Sequence, residues 1–369
     1  MNPPSHIIHR TLTRLLPLIA ISFMLCGMSL CFEAPITIVG HGLAGSLLAW
    51  TLLEQGKTLR IFAGDKPSAS RVAAGLINPV TGQRFVLADN TPEMLTYASK
   101  FYQGIESRLN IQCFHEKPMF RLFNSQKEQG NCKKRLKNEK YDDFLDNTSP
   151  PKSLLAEHGG IIQNHTAWLD TNTLLDALHT YFKQQNIITY RNFEAENVEQ
   201  NIIYCEGVHM MFNPLFSWLP LQPAHGEIVT CDSKQTLPST IINKGKWLLP
   251  ISQNTCRIGA TFDTKITTPT LLESSKKQLL AFAEGVFSKK HDFIVVEHQA
   301  GIRPTTLDKQ PFIGTHPKYS NIHIFNGFGS RGSLMIPWYA NQLCNHNIPA
   351  KANISRYDGL AAAMESNNK

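Results

Sequence analysis

Two glycine-rich turns and one arginine are the parts of this sequence whose residue types and spacing indicate chemistry. The first turn, residues 40–45, reads Gly-His-Gly-Leu-Ala-Gly and stands between an apolar β-branched run and an apolar helical pattern. In such a turn Gly40 makes the tight bend, Gly42 lets a pyrophosphate approach the backbone, and Gly45 lets the helix pack closely on the strand. The N-terminus of the helix that follows then faces the phosphates, so the turn predicts a dinucleotide site, with Ala44 as a further candidate binding residue. The alternative is a glycine-rich turn that binds nothing.

The second turn, residues 326–333, reads Asn-Gly-Phe-Gly-Ser-Arg-Gly-Ser and follows an apolar run. Like the first, it predicts a strand-to-helix turn with backbone N–H groups at a helix N-terminus. The turn contains Gly327, Gly329, Ser330, Arg331 and Gly332.

Arg303 stands in the sequence Gly-Ile-Arg-Pro. The planar guanidinium of arginine binds a carboxylate through two parallel hydrogen bonds, so this residue could anchor an anionic substrate. The alternative is a structural arginine that caps the loop before Pro304. Arg331 is a second candidate, which could either face a substrate or pair with backbone.

Metal and disulfide chemistry are not indicated. None of the 14 histidines belongs to an H-E-x-x-H pair, and the eight cysteines show no C-x-x-C spacing. His225 and His298 lie near the predicted substrate strands, and neither is assigned a role.

The elements that must position the first turn follow a strand–helix–strand order. Residues 36–39 predict a buried strand, residues 46–55 a helix, and residues 59–62 a second strand. An acidic residue that binds the ribose hydroxyls normally closes this second strand, where the chain has Ala63. Asp65 is the candidate for that contact, and a turn aspartate is the alternative reading.

Length and composition predict a globular protein of two domains. The chain has 369 residues, of which 42% are hydrophobic and 18% charged, and this excludes wholesale disorder. The formal net charge of +7 permits an anionic partner without requiring one.

Residues 15–32 form an uncharged apolar stretch that follows Arg10 and Arg14. Three interpretations stay open: a secretory signal, a short membrane anchor, or a start codon assigned too early, with translation from Met28. No twin-arginine pair is present. We expect a cytoplasmic protein, with membrane association through residues 15–32 as the alternative.

From Gly40 onward the sequence resembles the FAD-dependent D-amino-acid oxidase superfamily, which includes glycine oxidase and sarcosine oxidase. The resemblance spans about residues 35–345 and depends on the order of several separated segments. These segments are residues 68–79, 201–207, 223–229, 247–251, 257–261, 300–314 and 321–333.

The resemblance implies FAD as the cofactor and an α/β fold with two interleaved parts. One part is a discontinuous Rossmann-like FAD-binding domain, and the other is an α+β substrate domain with a mainly antiparallel sheet. The expected boundaries are 1–34 for the leader, 35–105, 153–210 and 296–345 for the FAD-binding domain, 106–152 and 211–295 for the substrate domain, and 346–369 for a polar tail.

The resemblance also implies roles for individual residues. Small residues beneath the isoalloxazine let a planar ring approach the backbone, and Gly207 follows the strand that closes the FAD domain. The second turn is expected at the pyrimidine edge of the flavin, although glycine-oxidase members carry an arginine where this chain has Ser330. The residues expected beneath the isoalloxazine are Ala73, Ala74, Gly75 and Leu76.

The implied activity is oxidation of a carboxylate-bearing amine, an amino acid or N-substituted glycine, by hydride transfer to the flavin, with Arg303 holding the carboxylate. Oxygen or an electron carrier would accept the electrons, and the oligomeric state is not indicated. One alternative substrate is the carboxymethylaminomethyl group of a tRNA wobble uridine, because residues 329–332 resemble the FAD domain of the bifunctional enzyme that completes 5-methylaminomethyl-2-thiouridine. Another alternative is a flavin-binding protein without catalytic activity.

The one basic cluster lies within a polar stretch, with Lys133, Lys134, Arg135, Lys137 and Lys140 close together. A solvated helix face is the expected reading, and contact with RNA phosphates is the alternative.

Overall fold

A computed structural model describes residues 35–65, 68–88, 90–193 and 201–361 of the chain. The predictions for residues 1–34, which include the apolar stretch, lie outside these residues, as does the end of the predicted tail. Within the described ranges, no helix combines the length and the apolar character that crossing a membrane requires.

Nineteen strands and seven α-helices make up the regular structure of the described ranges, together with short 3₁₀ helices. The strands are β1 (Ile36–Val39), β2 (Leu59–Ala63), β3 (Leu76–Ile77), β4 (Val80–Thr81), β5 (Val86–Leu87), β6 (Phe114–Glu116), β7 (Met119–Leu122), β8 (Leu145–Asp146), β9 (Gly160–Gln163), β10 (Ala167–Leu169), β11 (Ile188–Tyr190), β12 (Ile202–Tyr204), β13 (Leu221–Ser233), β14 (Ile241–Lys244), β15 (Lys246–Pro250), β16 (Thr255–Gly259), β17 (Phe293–Thr306), β18 (Phe312–Thr315) and β19 (Ile322–Asn326). The helices are α1 (Leu43–Glu54), α2 (Ala69–Val72), α3 (Thr91–Leu109), α4 (Gln126–Arg135), α5 (Thr171–Gln184), α6 (Glu273–Glu284) and α7 (Gly332–Cys344).

A six-stranded sheet has the order β11-β2-β1-β12-β19-β18. All neighbours are parallel except β18, which runs antiparallel to β19. On one side of β1, its neighbour β2 follows it directly through α1, whereas β12 and β19 on the other side come from much later in the chain. The boundary between β1 and β12 is therefore the switch point at which such sheets bind ligands.

The first predicted strand and helix are both present, and the helix begins earlier than its apolar pattern indicates. Ile38 and Leu47 are fully buried in one core beneath this sheet. The helix α1 starts at Leu43 because the hydroxyl of Ser70 accepts a hydrogen bond from the Leu43 N–H at 2.9 Å. A side chain from outside the helix thus satisfies one of the N–H groups that a helix N-terminus leaves free.

An eight-stranded sheet has the order β17-β13-β16-β15-β14-β7-β9-β8 and is antiparallel except where β14 pairs with β7. The long strands β13 and β17 pair from Leu221↔Thr306 to Ser233↔Phe293, with a register shift between Thr230 and Cys231. The predicted fold class, an α/β part with a mainly antiparallel second sheet, is confirmed.

The predicted division into two domains stays a prediction, although the sheets do not follow its boundaries throughout. Both β9 and β17 fall mainly in segments assigned to the FAD-binding domain, yet they are strands of the eight-stranded sheet. Neither segment shows by itself which strand it will pair with, because that depends on contacts with other segments of the chain.

Candidate active site

A cavity of 670 Å³ lies at the carboxyl ends of β1, β12 and β19 and extends to the β13–β17 pair. Residues of both glycine-rich turns and Arg303 lie in the wall of this one cavity. Its lining includes Gly40, Gly42, Ala44, Ala73, Ala74, Gly75, Leu76, Gly207, Arg303, Gly329, Ser330 and Gly332. Four predicted site residues are not in the lining: Gly45, Asp65, Gly327 and Arg331.

The first glycine turn has the backbone that a pyrophosphate cradle needs. Gly40 has a φ of +102°, and a Cβ on it would lie 2.5 Å from the carbonyl oxygen of Cys205. A Cβ on Gly45 would lie 1.9 Å from the carbonyl oxygen of Gly40, so Gly45 serves the packing of α1 on β1 and not the cavity wall. Because only glycine fits at these positions and the helix N-terminus points at the cavity, the residues present fit a dinucleotide such as FAD.

Two serine hydroxyls complete this end of the cavity. A Cβ on Gly42 would lie 3.1 Å from Ser68 Oγ and 3.2 Å from Ser70 Oγ, so both hydroxyls stand beside the turn. Both serines belong to the small-residue segment 68–79, in which the sequence pattern alone indicates no role for them. Their position in the lining suits them to bind phosphate oxygens.

The small-residue loop after α2 forms a second wall. Gly75 has a φ of +69°, and a Cβ there would lie 1.9 Å from the carbonyl oxygen of Leu169. On the other side, Arg257 donates hydrogen bonds to the carbonyl oxygens of Val72 and Ala73 at 2.7 and 2.9 Å. The loop is therefore held from two directions where a flat ring could lie against it.

Arg303 lies at the end of the cavity that the β13–β17 pair closes. Its Nη1 atom is 3.4 Å from the carbonyl oxygens of His225 and Thr261, and no carboxylate of the described residues forms an ion pair with it. Burial lowers the pKa of the Arg303 guanidinium from its ordinary value. A buried cation without an anionic partner is costly, and an anionic ligand would offset that cost.

Asp65, the predicted ribose contact, lies outside the cavity. The second strand ends at Ala63, and Asp65 is exposed beyond it, outside the cavity lining. Arg191, Asn192 and Phe193 line this region instead. They follow β11, which pairs with β2, and nothing in their sequence indicated a contact with the second strand.

The second glycine turn divides its residues between the cavity and the protein interior. Gly329 and Ser330 line the cavity, whereas Gly327 packs against the Thr306 side chain, from which a Cβ would be 2.9 Å away. Arg331 turns away from the lining, and its buried Nε atom has no hydrogen-bond partner in the described part of the chain. The turn therefore contributes backbone and a hydroxyl, and of the two candidate arginines only Arg303 faces the cavity.

His41 faces the cavity from within the first turn. Its ring meets the ring of His179 edge to face, with centroids 5.3 Å apart. Burial, followed by the charges of His179 and Arg71, lowers the pKa of His41. A neutral imidazole is therefore favoured beside the turn.

Several residues that line the cavity belong to no motif by which the sequence could have predicted a binding site. The 3₁₀ helix Gly207–Phe212 brings His209 and Phe212 to the cavity, and a helix this short has no recognisable periodicity. Trp247 and Ile228 line the end near Arg303 because they lie on the strands β15 and β13. The described residues contain no group of three or more His, Cys, Asp or Glu that could hold a metal ion.

The chain belongs to the DAO family of FAD-dependent oxidoreductases, whose model matches residues 35–345. The predicted family resemblance is confirmed, and FAD is the cofactor of this family. The glycine turns, the small-residue loop and the cavity that they share accommodate such a cofactor.

Curated relatives of two kinds, glycine oxidases and tRNA-modifying proteins, match the chain. Glycine oxidase from Pseudomonas aeruginosa is 25% identical over 34% of this chain and 35% of its own length. The tRNA 5-methylaminomethyl-2-thiouridine biosynthesis bifunctional protein of Marinobacter nauticus is 23% identical over 84% of this chain and 55% of its own length. The chain thus spans little more than half, or less, of these curated relatives.

Solved structures share the fold over nearly their whole length. Glycine oxidase from Geobacillus kaustophilus has a TM-score of 0.72 at 18% identity, covering 86% of this chain and 96% of that one. Iminodiacetate oxidase from Chelativorans has a TM-score of 0.70 at 17% identity, covering 87% and 98%.

Proposed function

We propose that this protein oxidises a small amine that carries a carboxylate, an amino acid or an N-substituted glycine, with FAD as the electron acceptor. The observation that carries the proposal is Arg303, a largely buried cation that lines the cavity and has no carboxylate partner among the described residues. Two solved structures that share the fold are named as oxidases of glycine and iminodiacetate, both of which are carboxylate-bearing amines.

The residues of the chain would act mainly by binding and orientation. The bidentate geometry of the Arg303 guanidinium fixes a carboxylate and so presents the carbon beside the amine to the flavin. Bound FAD supplies the acceptor for the hydride of that carbon. Trp247 and Ile228 form apolar walls near Arg303, which limits the water around the reacting carbon.

The test is anaerobic reduction of the flavin. Glycine, N-methylglycine, iminodiacetate and proline are mixed separately with the holoenzyme, and the visible flavin absorbance is followed. We expect at least one of them to bleach the flavin, and Arg303→Leu to raise the KM for that amine by tenfold or more while the flavin content stays normal. If none of these free amines bleaches the flavin, this proposal is overturned, and if tRNA that carries carboxymethylaminomethyluridine does not bleach it either, the alternative of a non-catalytic flavin protein replaces it.

The acceptor that takes the electrons from the reduced flavin is determined by a reoxidation experiment. The reduced enzyme is exposed either to oxygen or to an artificial carrier such as a soluble quinone. Rapid reoxidation by oxygen, with formation of hydrogen peroxide, identifies an oxidase, and reoxidation by the carrier alone identifies a dehydrogenase.

A tRNA substrate is the second candidate, and the extent of one match favours it. The match to the bifunctional tRNA-modifying protein covers 84% of this chain, whereas the match to glycine oxidase covers 34%. Lys133 and Lys134 at the end of α4 are exposed and could contact phosphates. Bleaching by tRNA that carries carboxymethylaminomethyluridine, but not by the free amines, would establish this function in place of the first.

A further inference from the structure

Arg257 connects the eight-stranded sheet to the small-residue loop of the cavity. It lies on β16, and its two terminal nitrogens donate to the neighbouring carbonyl oxygens of Val72 and Ala73 at 2.7 and 2.9 Å. In the sequence, Arg257 is 184 positions away from Ala73 and 185 away from Val72. A planar guanidinium can reach two adjacent carbonyls at once, which the single ammonium of a lysine does not reproduce.

The guanidinium makes this contact from a largely buried position. Burial lowers the pKa of Arg257, while the more distant carboxylates of Glu297 and Asp170 raise it. No ion pair to Arg257 is formed within the described ranges, so the two carbonyl oxygens are its hydrogen-bond partners there. A buried charge that depends on two carbonyls for its solvation holds them in a defined direction.

The direction of the Ala73 carbonyl determines the direction of the next N–H group. In a trans peptide the C=O of Ala73 and the N–H of Ala74 point opposite ways, so the Ala74 N–H points away from Arg257. In the part of the chain that the structure describes, this N–H has no hydrogen-bond partner, and Ala74 lines the cavity. It is a free donor at the wall where the flavin ring would lie.

We propose that Arg257 is a positioning residue for the flavin: by holding the carbonyls of Val72 and Ala73 it keeps the Ala74 N–H directed toward the isoalloxazine. Arg257 itself is outside the cavity lining and so would not touch a cofactor bound there. Gly75, fixed against Leu169 on the other side, completes the support of the loop. The inference depends on the family's cofactor and not on which amine is oxidised.

The experiment compares Arg257→Lys and Arg257→Gln with the wild type by FAD titration of the apoprotein and by hydrogen exchange. We expect the Kd for FAD to rise tenfold or more in both variants and the visible flavin spectrum to change shape. Amide exchange should accelerate in residues 73–76 but not in β1 or α7. Arg60→Gln, on the exposed side of β2, is the matched control and should behave as the wild type.

A Kd within twofold of the wild type, with unchanged exchange in residues 73–76, would overturn the proposal. Exchange that accelerates equally throughout the chain would also overturn it, because that result indicates general destabilisation. If neither Arg257 variant folds, the FAD titration is repeated with Thr171→Val. The Thr171 Oγ1 atom is a donor 3.4 Å from the same Ala73 carbonyl oxygen. A two- to fivefold rise in Kd is then expected, and no change would contradict the proposal.

Discussion

The guanidinium of Arg303 occupies the space that a side chain at position 226 would fill. A Cβ on Gly226 would lie 2.2 Å from both terminal nitrogens of Arg303. The two residues lie on neighbouring antiparallel strands, with Gly226 paired to Gly301. Glycine at 226 is therefore a condition for the position of the proposed carboxylate anchor.

Gly226→Ala should displace Arg303 without removing its charge. We expect the KM for the amine substrate to rise about tenfold or more, equivalent to about 1.4 kcal/mol, while the Kd for FAD stays the same. Steady-state kinetics and flavin titration measure the two effects separately. An unchanged KM would show that Arg303 adapts its position or does not bind substrate.

Gly45→Ala tests the packing of α1 on β1. The added methyl group would lie 1.9 Å from the Gly40 carbonyl oxygen, which is backbone and cannot move aside cheaply. We expect the free energy of unfolding to fall by about 1–3 kcal/mol or more. The matched control is Gly104→Ala in α3, where nothing lies within 4 Å of the new Cβ, and it should stabilise the protein by about 0.4–1 kcal/mol.

Asp65 and Ser70 should differ in their effect on flavin binding. Asp65 is exposed outside the cavity, so Asp65→Asn should leave the Kd for FAD within about twofold of the wild type. Ser70→Ala removes the hydroxyl that accepts from the Leu43 N–H and stands beside Gly42, and it should raise the Kd about two- to tenfold. A large effect at Asp65 would instead support it as the ribose ligand.

The lowered pKa of His41 predicts a pH dependence of stability in the apoprotein. In the folded chain His41 takes up a proton less readily than in the unfolded chain, where its pKa is near 6.5. Below that pH the unfolded state therefore binds more protons, and stability falls as the pH is lowered. His41→Gln should lose less stability than the wild type between about pH 8 and pH 5, as measured by urea unfolding. Parallel curves for the two proteins would contradict the prediction.

The first turn could be predicted from the sequence because its parts are neighbours in the chain. A buried strand, the spacing of Gly40, Gly42 and Gly45, and an apolar helix all fall within about twenty residues, and local rules for each apply independently. The order of these elements also identified the family, which the match over residues 35–345 confirms.

The rest of the site depends on contacts between distant segments. The pairing of β13 with β17 places Gly226 beside Arg303, and no feature near either residue indicates this contact. Nothing in the sequence around Arg257 indicates its role, because its hydrogen-bond partners lie more than 180 residues away. Asp65 was a candidate from its spacing alone, and spacing does not show whether a side chain points toward a cavity.

The strand β17 carries Arg303 and, two residues later, Thr305, whose side chain lies 3.5 Å from the position of a Cβ on Gly329. The anchor for the substrate and the support of the second glycine turn are thus about 7 Å apart along one continuous piece of backbone. That distance is set by covalent geometry and not by how the two sheets pack. Substitutions at Trp247 or Ile228, which lie on other strands of the same sheet, can therefore change which amine fits while this backbone spacing between Arg303 and Thr305 stays constant.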